Sequence, residues 1–330
     1  MHKIACWLAF ALAALSLVGC RAKTDPAYSP DGKTIAYVDS QQNLFLNSGA
    51  ERKFAGGIEG DVAWNEDGTE LAFFSRGKTY VANTANGRRR VVPRITFPYA
   101  WNGNSLIGLY QFQRKNEFAL LQMNIATGEV TRKLYLGELA PPKFVRAGGL
   151  LLFGGKAVDL SNLSFARTWT GEDKYPIDGS TQEGIDIGEL ADNLLLIDKG
   201  RGRVERVAFE PSPGIAFDLL SAKRRNGTLV VELLTVIPPA NDRAKLENLI
   251  EGGALRNGAS NAKEVEAILR RSDFKQVLYA AVEGAPLRII VPRKLSERSA
   301  VSYDLSPDGR EIAISDGDSL TKLPLDQITP

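Results

Sequence analysis

The chain has 330 residues, 41 Lys and Arg against 39 Asp and Glu, and a hydrophobic fraction of 44%. This balance is typical of a globular protein, and the formal charge of +2 excludes a strongly basic nucleic-acid-binding protein. The single histidine is His2, so a chain that loses its first residues has no histidine for Ser-His-Asp catalysis or for metal binding. We therefore favour a non-catalytic protein over an enzyme and expect no cofactor and no bound metal.

The first 19 residues resemble a secretory signal peptide, with a positive charge at Lys3 followed by an uncharged apolar stretch. That stretch is shorter than the ~20 residues needed to span a bilayer as a helix. It ends in Leu-Val-Gly-Cys, which resembles the lipobox of bacterial lipoproteins. The resemblance implies cleavage before Cys20 and a lipid on its sulfur, so that residues 20–27 form a lipidated start and a short tether. The alternative is an ordinary signal peptide with a chance cysteine.

The residue after the lipobox cysteine bears on location. Arg21 stands where the sorting rule of enteric bacteria places Asp for retention in the inner membrane. By resemblance to that rule, we expect the protein on the periplasmic face of the outer membrane. The other cysteine, Cys6, would leave with the signal peptide, so we expect no disulfide.

Three segments of the chain align with one another without gaps: 29–37, 65–73 and 306–314. Each contains Asp-Gly, and two of them contain Ser-Pro-Asp-Gly. Proline presets φ for a type I turn, and glycine takes the positive φ that closes a hairpin. The predicted turn residues are Pro30, Asp31, Gly32, Asp67, Gly68, Pro307, Asp308 and Gly309.

Each predicted turn is followed by a large apolar residue, then alanine, then another large apolar residue. Both faces of such a strand are apolar, which indicates burial between two other sheets. Ala36, Ala72 and Ala313 are expected where neighbouring sheets approach most closely. Radial repetition of small antiparallel sheets gives a β-propeller. At ~40 residues per blade, the spacing of the first and last repeats predicts seven blades, with six or eight as alternatives.

The Ser-Pro-Asp-Gly turn followed by Ile-Ala-Tyr resembles the TolB-type β-propeller, a WD-repeat-like propeller of bacterial envelope proteins. The resemblance implies one propeller over residues 28–330, although the repeat signature has decayed between 138 and 213, which leaves two or three blades open there. The matching residues build turns and blade cores and carry no active site. TolB also has an N-terminal α/β domain, for which there is no room between Cys20 and the first repeat.

A helical insert is predicted at about residues 241–272, inside the sixth blade. Pro238 and Pro239 end the preceding strand, and Asn261 with Glu264 forms a capping box for the second helix. The apolar faces of the two helices consist of Leu246, Leu249, Ile250, Val265, Ile268 and Leu269. These residues could bind a partner protein. Alternatively, they bury themselves on the propeller and only stabilise it.

Several charged segments are candidate functional sites. The basic run 88–90 could bind anionic lipid head groups. For this run and for the run 223–225, we favour a position on the solvated outer edge of a blade, where charge prevents the addition of a further strand. The acidic stretch 172–192 could supply paired carboxylates for acid–base chemistry without histidine. The leading prediction is a monomeric binding or scaffold module for envelope proteins. The alternative is a carboxylate-dependent enzyme acting on peptidoglycan or another glycan.

Overall fold

A computed structural model describes residues 25–112, 117–138, 145–147, 149–153, 156–166, 174–177, 186–191, 194–199, 203–210, 214–251, 262–282, 284–290 and 302–326. The strands in these ranges form seven antiparallel sheets, which follow one another along the chain as the blades of a propeller. Six blades have four strands, and blade 7 has three among the described residues. The predicted all-β fold with seven blades is confirmed.

In every blade the hydrogen-bonded neighbours are consecutive strands. Blade 1 consists of β1 Ala27–Tyr28, β2 Ile35–Val38, β3 Asn43–Asn47 and β4 Glu51–Gly56; blade 2 of β5 Ile58–Trp64, β6 Glu70–Ser75, β7 Lys78–Asn83 and β8 Arg89–Val92; and blade 3 of β9 Phe97–Asn102, β10 Ser105–Gln111, β11 Glu117–Asn124 and β12 Val130–Glu138. Blade 4 consists of β13 Val145–Ala147, β14 Leu150–Phe153, β15 Lys156–Asp159 and β16 Ser164–Phe165; and blade 5 of β17 Lys174–Pro176, β18 Ile187–Ala191, β19 Leu194–Asp198 and β20 Val204–Ala208. Blade 6 consists of β21 Ile215–Arg225, β22 Thr228–Ile237, β23 Asp273–Val282 and β24 Arg288–Ile290; and blade 7 of β25 Ser302–Leu305, β26 Glu311–Ser315 and β27 Leu320–Pro324.

The region of decayed repeats forms two blades, 4 and 5. Its first and last strands are only two or three residues long in several places, as in β16 Ser164–Phe165 and β17 Lys174–Pro176. Strands this short show too little alternation to be counted from the sequence, which is why the sequence left two or three blades open.

The first strand of each blade is the innermost, because first strands such as β5 and β9, or β1 and β25, contact one another around the ring. Each first strand runs toward its hairpin with the second strand. We call the side of the ring that carries these hairpins, at 29–34, 65–70 and 306–311, the turn face. The opposite side, which carries the connections between second and third strands, is the insert face.

The repeat alanines lie between blades, as predicted. Ala36, Ala72 and Ala313 are all fully buried. Ala36 belongs to a cluster shared by blades 1 and 2, and Ala72 to one shared by blades 2 and 3. Ala313 packs with Tyr28 and Ile35 across the junction of blades 7 and 1. A larger side chain at these positions would push two sheets apart, because the interior is close-packed.

Tryptophans on the innermost strands tie neighbouring blades together. The indole Nε1 of Trp64 donates a hydrogen bond of 2.9 Å to the carbonyl of Ala27 in blade 1. Trp101 does the same one blade later, at 3.0 Å from the carbonyl of Ala63. Both side chains occupy the same place in the repeat, so the sequence encodes the same clamp twice.

Tyr28 stands at the corresponding place in blade 1 and closes the ring. Its hydroxyl donates to Glu311 of blade 7 at 2.7 Å, and its backbone N–H donates to Asp304 at 3.0 Å. On the insert face, the Ser40 hydroxyl bonds Asp318 at 2.7 Å. The described strands of blades 1 and 7 are thus joined by side chains and loops, and no strand is exchanged between these two blades.

The helical insert lies inside blade 6, as predicted, and the structure places it between the second and third strands. A 3-10 turn, Ala240–Asp242, leads into helix α1, Arg243–Glu251, and helix α2 spans Ala262–Leu269. The predicted cap residue Asn261 lies outside the described residues. Because β22 runs away from the turn face, the insert stands on the insert face.

Candidate partner-binding surface

The repeat motif builds a closed hydrogen-bonded turn. In blade 1 the Gly32 N–H donates to the Ser29 carbonyl at 2.8 Å, and Gly32 has a φ of 72°. The Ser29 hydroxyl donates to Asp31 at 2.6 Å and accepts the N–H of Thr34 at 2.9 Å. The Ser29 hydroxyl, together with a backbone N–H, holds the pKa of the Asp31 carboxyl below its usual range.

The same turn recurs in blades 2 and 7, where the pKa of Asp67 and of Asp308 is also lowered, chiefly by a bond from a neighbouring hydroxyl. Successive turns touch one another. A Cβ on Gly68 would lie 3.6 Å from Pro30 of the preceding blade, and one on Gly32 would lie 3.5 Å from Pro307. Pro30 and Pro307 therefore each pack on the glycine of the next turn around the ring, which is a structural use of both residue types.

The insert is fixed to the propeller by its apolar side. Leu246, Val265 and Ile268 are buried against Ile215 and Val236 of blade 6. The remaining predicted apolar positions are half-buried around this cluster: Leu249, Ile250 and Leu269. Burial of this kind stabilises by roughly 1.5–3 kcal/mol per large side chain.

This packing corrects one interpretation of the sequence. Leu246, Val265 and Ile268 were candidate partner-binding residues, but they have no surface left to offer because blade 6 covers them. The reason is that blade 6 is itself apolar at this point: Val236 is fully buried beneath the helices. Any partner has to meet the insert through its outer side.

Ion pairs connect the helices to each other and to the turn before them. Lys245 of α1 lies 2.6 Å from Glu264 of α2, and Arg271 lies 2.9 Å from Asp242. These pairs are solvent-exposed, so each contributes at most about 1 kcal/mol to holding the insert together. The outer side of the insert includes exposed Asn248 and Ala267. The sequence could have indicated both, since they fall on the helix faces opposite the apolar positions.

The basic run 223–225 is not on an outer edge, which corrects a second expectation. Lys223 lies on β21, the innermost strand of blade 6, and its Nζ donates to the Tyr303 carbonyl at 2.7 Å. The same ammonium lies 3.3 Å from Asp304 and 3.3 Å from Asp25. The charge therefore joins blade 6, blade 7 and the start of the described chain. A charged run resembles a solvated edge in sequence because its partners are far away along the chain.

Arg224 joins blades 6 and 5 in the same way. Its guanidinium binds both oxygens of Glu205 at 3.1 Å and lies 3.6 Å from Asp186. Burial raises the pKa of the Asp186 carboxyl, and the Arg224 charge opposes that shift. Asp186 is 2% exposed, so it cannot contact a polysaccharide. Of the acidic residues considered for catalysis, only Asp186 and Glu189 lie in the described part, and Asp186 is paired with Arg224.

The predicted lipidation site, Cys20, lies outside the described residues. In the described part of the chain, no helix is long and apolar enough to cross a bilayer. Within the same ranges, no three His, Cys, Asp or Glu side chains are grouped so that they could hold a metal ion.

Comparison with known proteins bears on the fold. No family model matches the chain, and no curated protein matches its sequence. Among solved structures, a chain of the mitotic checkpoint complex is similar over 92% of this chain and 89% of its own, with a TM-score of 0.53 and 13% identity. An acylaminoacyl peptidase of Pyrococcus horikoshii aligns with 91% of this chain and 51% of its own, with a TM-score of 0.48 and 13% identity. The first likeness supports the seven-bladed β-propeller fold.

Proposed function

We propose that this protein is a lipid-anchored, non-catalytic protein-binding propeller of the bacterial cell envelope. The observation that carries the proposal is the helical insert on the insert face. It is fixed from below by Leu246, Val265 and Ile268 and across its helices by the Lys245–Glu264 ion pair. Insertions held rigidly on a scaffold are where binding residues concentrate.

The anchor and the insert act on the same side of the ring. Strand β1 runs from the insert face toward the turn face, so the described chain enters the propeller from the insert face. Only residues 21–24 separate Cys20 from Asp25, a reach of about 18 Å when extended. A lipid on Cys20 would hold the insert face close to the membrane. The partner is therefore an envelope protein that is itself at the membrane.

Two likenesses support this proposal. The Ser-Pro-Asp-Gly turns resemble those of TolB-type propellers of the bacterial envelope. The structure with the TM-score of 0.53 is described as a mitotic checkpoint complex, so that propeller is part of an assembly. The proposal for this chain rests on its own insert and lipobox.

The anchor is tested by Cys20→Ser in cells. The serine hydroxyl cannot form the thioether, so we expect the protein to leave the membrane fraction after a high-salt wash. Retention of the Cys20→Ser protein in that fraction would contradict lipid anchoring.

Partner binding is tested with two matched double variants, purified with their bound proteins in mild detergent. Asn248→Arg with Ala267→Arg changes the outer side of the insert, and Asn86→Arg with Ala126→Arg makes the same exchanges on exposed turn-face loops. We expect the first pair to lose a defined co-purifying envelope protein and the second pair to retain it. Both should melt within a few degrees of the parent. Retention of the partner by the insert variant would contradict the proposed surface.

A further inference from the structure

A basic cleft opens between blades 1 and 2, away from the insert. It has a volume of about 310 Å³ and is lined from blade 1 by Lys53 and Phe54, and from blade 2 by Arg76, Tyr80 and Arg89. Three of these five side chains are cationic, and all three are exposed to solvent. The residues that line the cleft include no carboxylate.

The cations of the cleft differ from others nearby. Arg90, one residue further along β8, points the other way and binds both oxygens of Glu70 at 3.0 and 3.1 Å. Among the described residues, no carboxylate lies within ion-pair distance of Lys53, Arg76 or Arg89. Three like charges around one cleft repel each other, and an anion placed among them would relieve that repulsion.

Local structure fixes the arginines in place. Arg76 has a φ of 50° in the tight turn between β6 and β7, and its side chain crosses Gly57, where a Cβ would come 3.1 Å from its Cγ. The Arg89 guanidinium lies 5.4 Å from the centre of the Tyr80 ring, within cation–π distance. Gly57 thus leaves room for one arginine and Tyr80 supports the other, so the two cations lose less freedom when they bind a ligand.

We propose that this cleft binds a phosphate-type anion, as a phosphomonoester or a diphosphate. The forked guanidinium of arginine can donate two parallel hydrogen bonds to phosphate oxygens, and lysine supplies a further point charge. The volume of about 310 Å³ is sufficient for a phosphorylated head group but small for a macromolecule. Arg76 lies in a connection on the insert face and Arg89 begins β8 at its turn-face end, so the cleft follows the outer strands of blades 1 and 2. The phosphate can come from a lipid head group or from a soluble phosphorylated molecule.

The test is a calorimetric titration at physiological salt, in which inorganic pyrophosphate is added to the full chain in a non-ionic detergent. Arg76→Gln with Arg89→Gln removes two cations from the cleft. Lys33→Gln with Arg90→Gln is the control. It also removes two positive charges, but from residues that lie outside the cleft and pair with carboxylates. We expect saturable binding by the parent, a loss of tenfold or more in the first variant, and a change within about twofold in the second.

Two outcomes would overturn the proposal: no saturable binding by the parent, or equal losses in both variants, which would indicate a general charge effect. Lys53→Gln, on the other blade, repeats the test if the arginine variant does not fold. Micelles containing phosphatidic acid, compared with phosphatidylcholine, identify the source. If phosphatidic acid micelles compete with pyrophosphate for the protein, the ligand is a lipid head group. If they do not compete, the ligand is a soluble phosphorylated molecule. Asn248 and Ala267 are remote from the cleft, so failure here leaves the proposed partner surface intact.

Discussion

Gly309 shows how one missing side chain lets two blades meet. It has a φ of 71°, and a Cβ added to it would lie 2.3 Å from the backbone carbonyl of Arg225 in blade 6. Gly32 has the same backbone conformation, but its nearest neighbour is the ring of Pro307 at 3.5 Å. The two glycines are identical in the motif, so only the structure distinguishes their surroundings.

We expect Gly32→Ala to lower the free energy of unfolding by about 1 kcal/mol, the cost of a left-handed residue with a side chain. Gly309→Ala should cost about 3 kcal/mol, because the backbone of blade 6 or 7 must also move. Gly149→Ala is the control, since no atom lies within 4 Å of its added Cβ. Urea unfolding measures all three. Equal losses in Gly32→Ala and Gly309→Ala would show that the two blades do not meet at Gly309.

The turn aspartates make stability depend on pH. The pKa of Asp31 and of Asp308 is lowered in the fold, mainly by the hydroxyls of Ser29 and Ser306. Their contribution is therefore complete above the unfolded pKa of about 4 and is lost as the pH falls through the lower folded value.

We expect Asp31→Asn with Asp308→Asn to be less stable than the parent at pH 7, by about 1 kcal/mol for each weakened network. The difference should shrink below about pH 4, where the parent also loses these charges. Urea unfolding at several pH values measures it. A difference that is constant from pH 7 to pH 3 would contradict the charge-assisted bonds.

The helical insert is held as an element by a small apolar cluster. Removing it entirely would expose Ile215 and Val236, which are buried beneath it. A folding defect in such a deletion would say nothing about binding. Surface substitutions test the function of the insert more cleanly, and substitutions in its core test its attachment.

Leu246→Ala should lower the free energy of unfolding by about 3 kcal/mol, because the side chain is fully buried and a cavity remains. Asn248→Ala, two residues along on the exposed side, should change it by less than about 0.5 kcal/mol. Denaturant unfolding together with limited proteolysis of the insert checks both. If the two variants behave alike, the insert is not docked on blade 6 in solution.

The whole ring could be predicted from the sequence only where local patterns define it. The Asp-Gly turns and the strand around Ala36, which is apolar on both faces, were sufficient to predict a propeller of seven blades, with six or eight as alternatives. Ring closure was not predictable, because Tyr28 and Glu311 are 283 residues apart and neither lies in an unusual pattern. The same holds for Lys223, whose partners come from blade 7 and from the start of the described chain.

The candidate partner-binding surface was predictable in part. The spacing of Leu246, Val265 and Ile268 revealed two amphipathic helices, but it could not reveal whether their apolar sides face a partner or the propeller. That depended on Ile215 and Val236, which come from two strands of blade 6. The basic cleft was not found because Lys53, Arg76 and Arg89 belong to three separate segments that meet only when blades 1 and 2 pack.

Site-specific photo-crosslinking in intact cells is the sharpest test of whether the insert binds an envelope protein. A photoreactive residue is placed at Asn248 or Ala267 on the insert, or at Asn86 or Ala126 on the turn face, in the otherwise unchanged full chain. We expect one defined adduct with a membrane-associated envelope protein from the two insert positions and none from the two turn-face positions. Adducts only from the turn face, or none from the insert, would contradict this prediction.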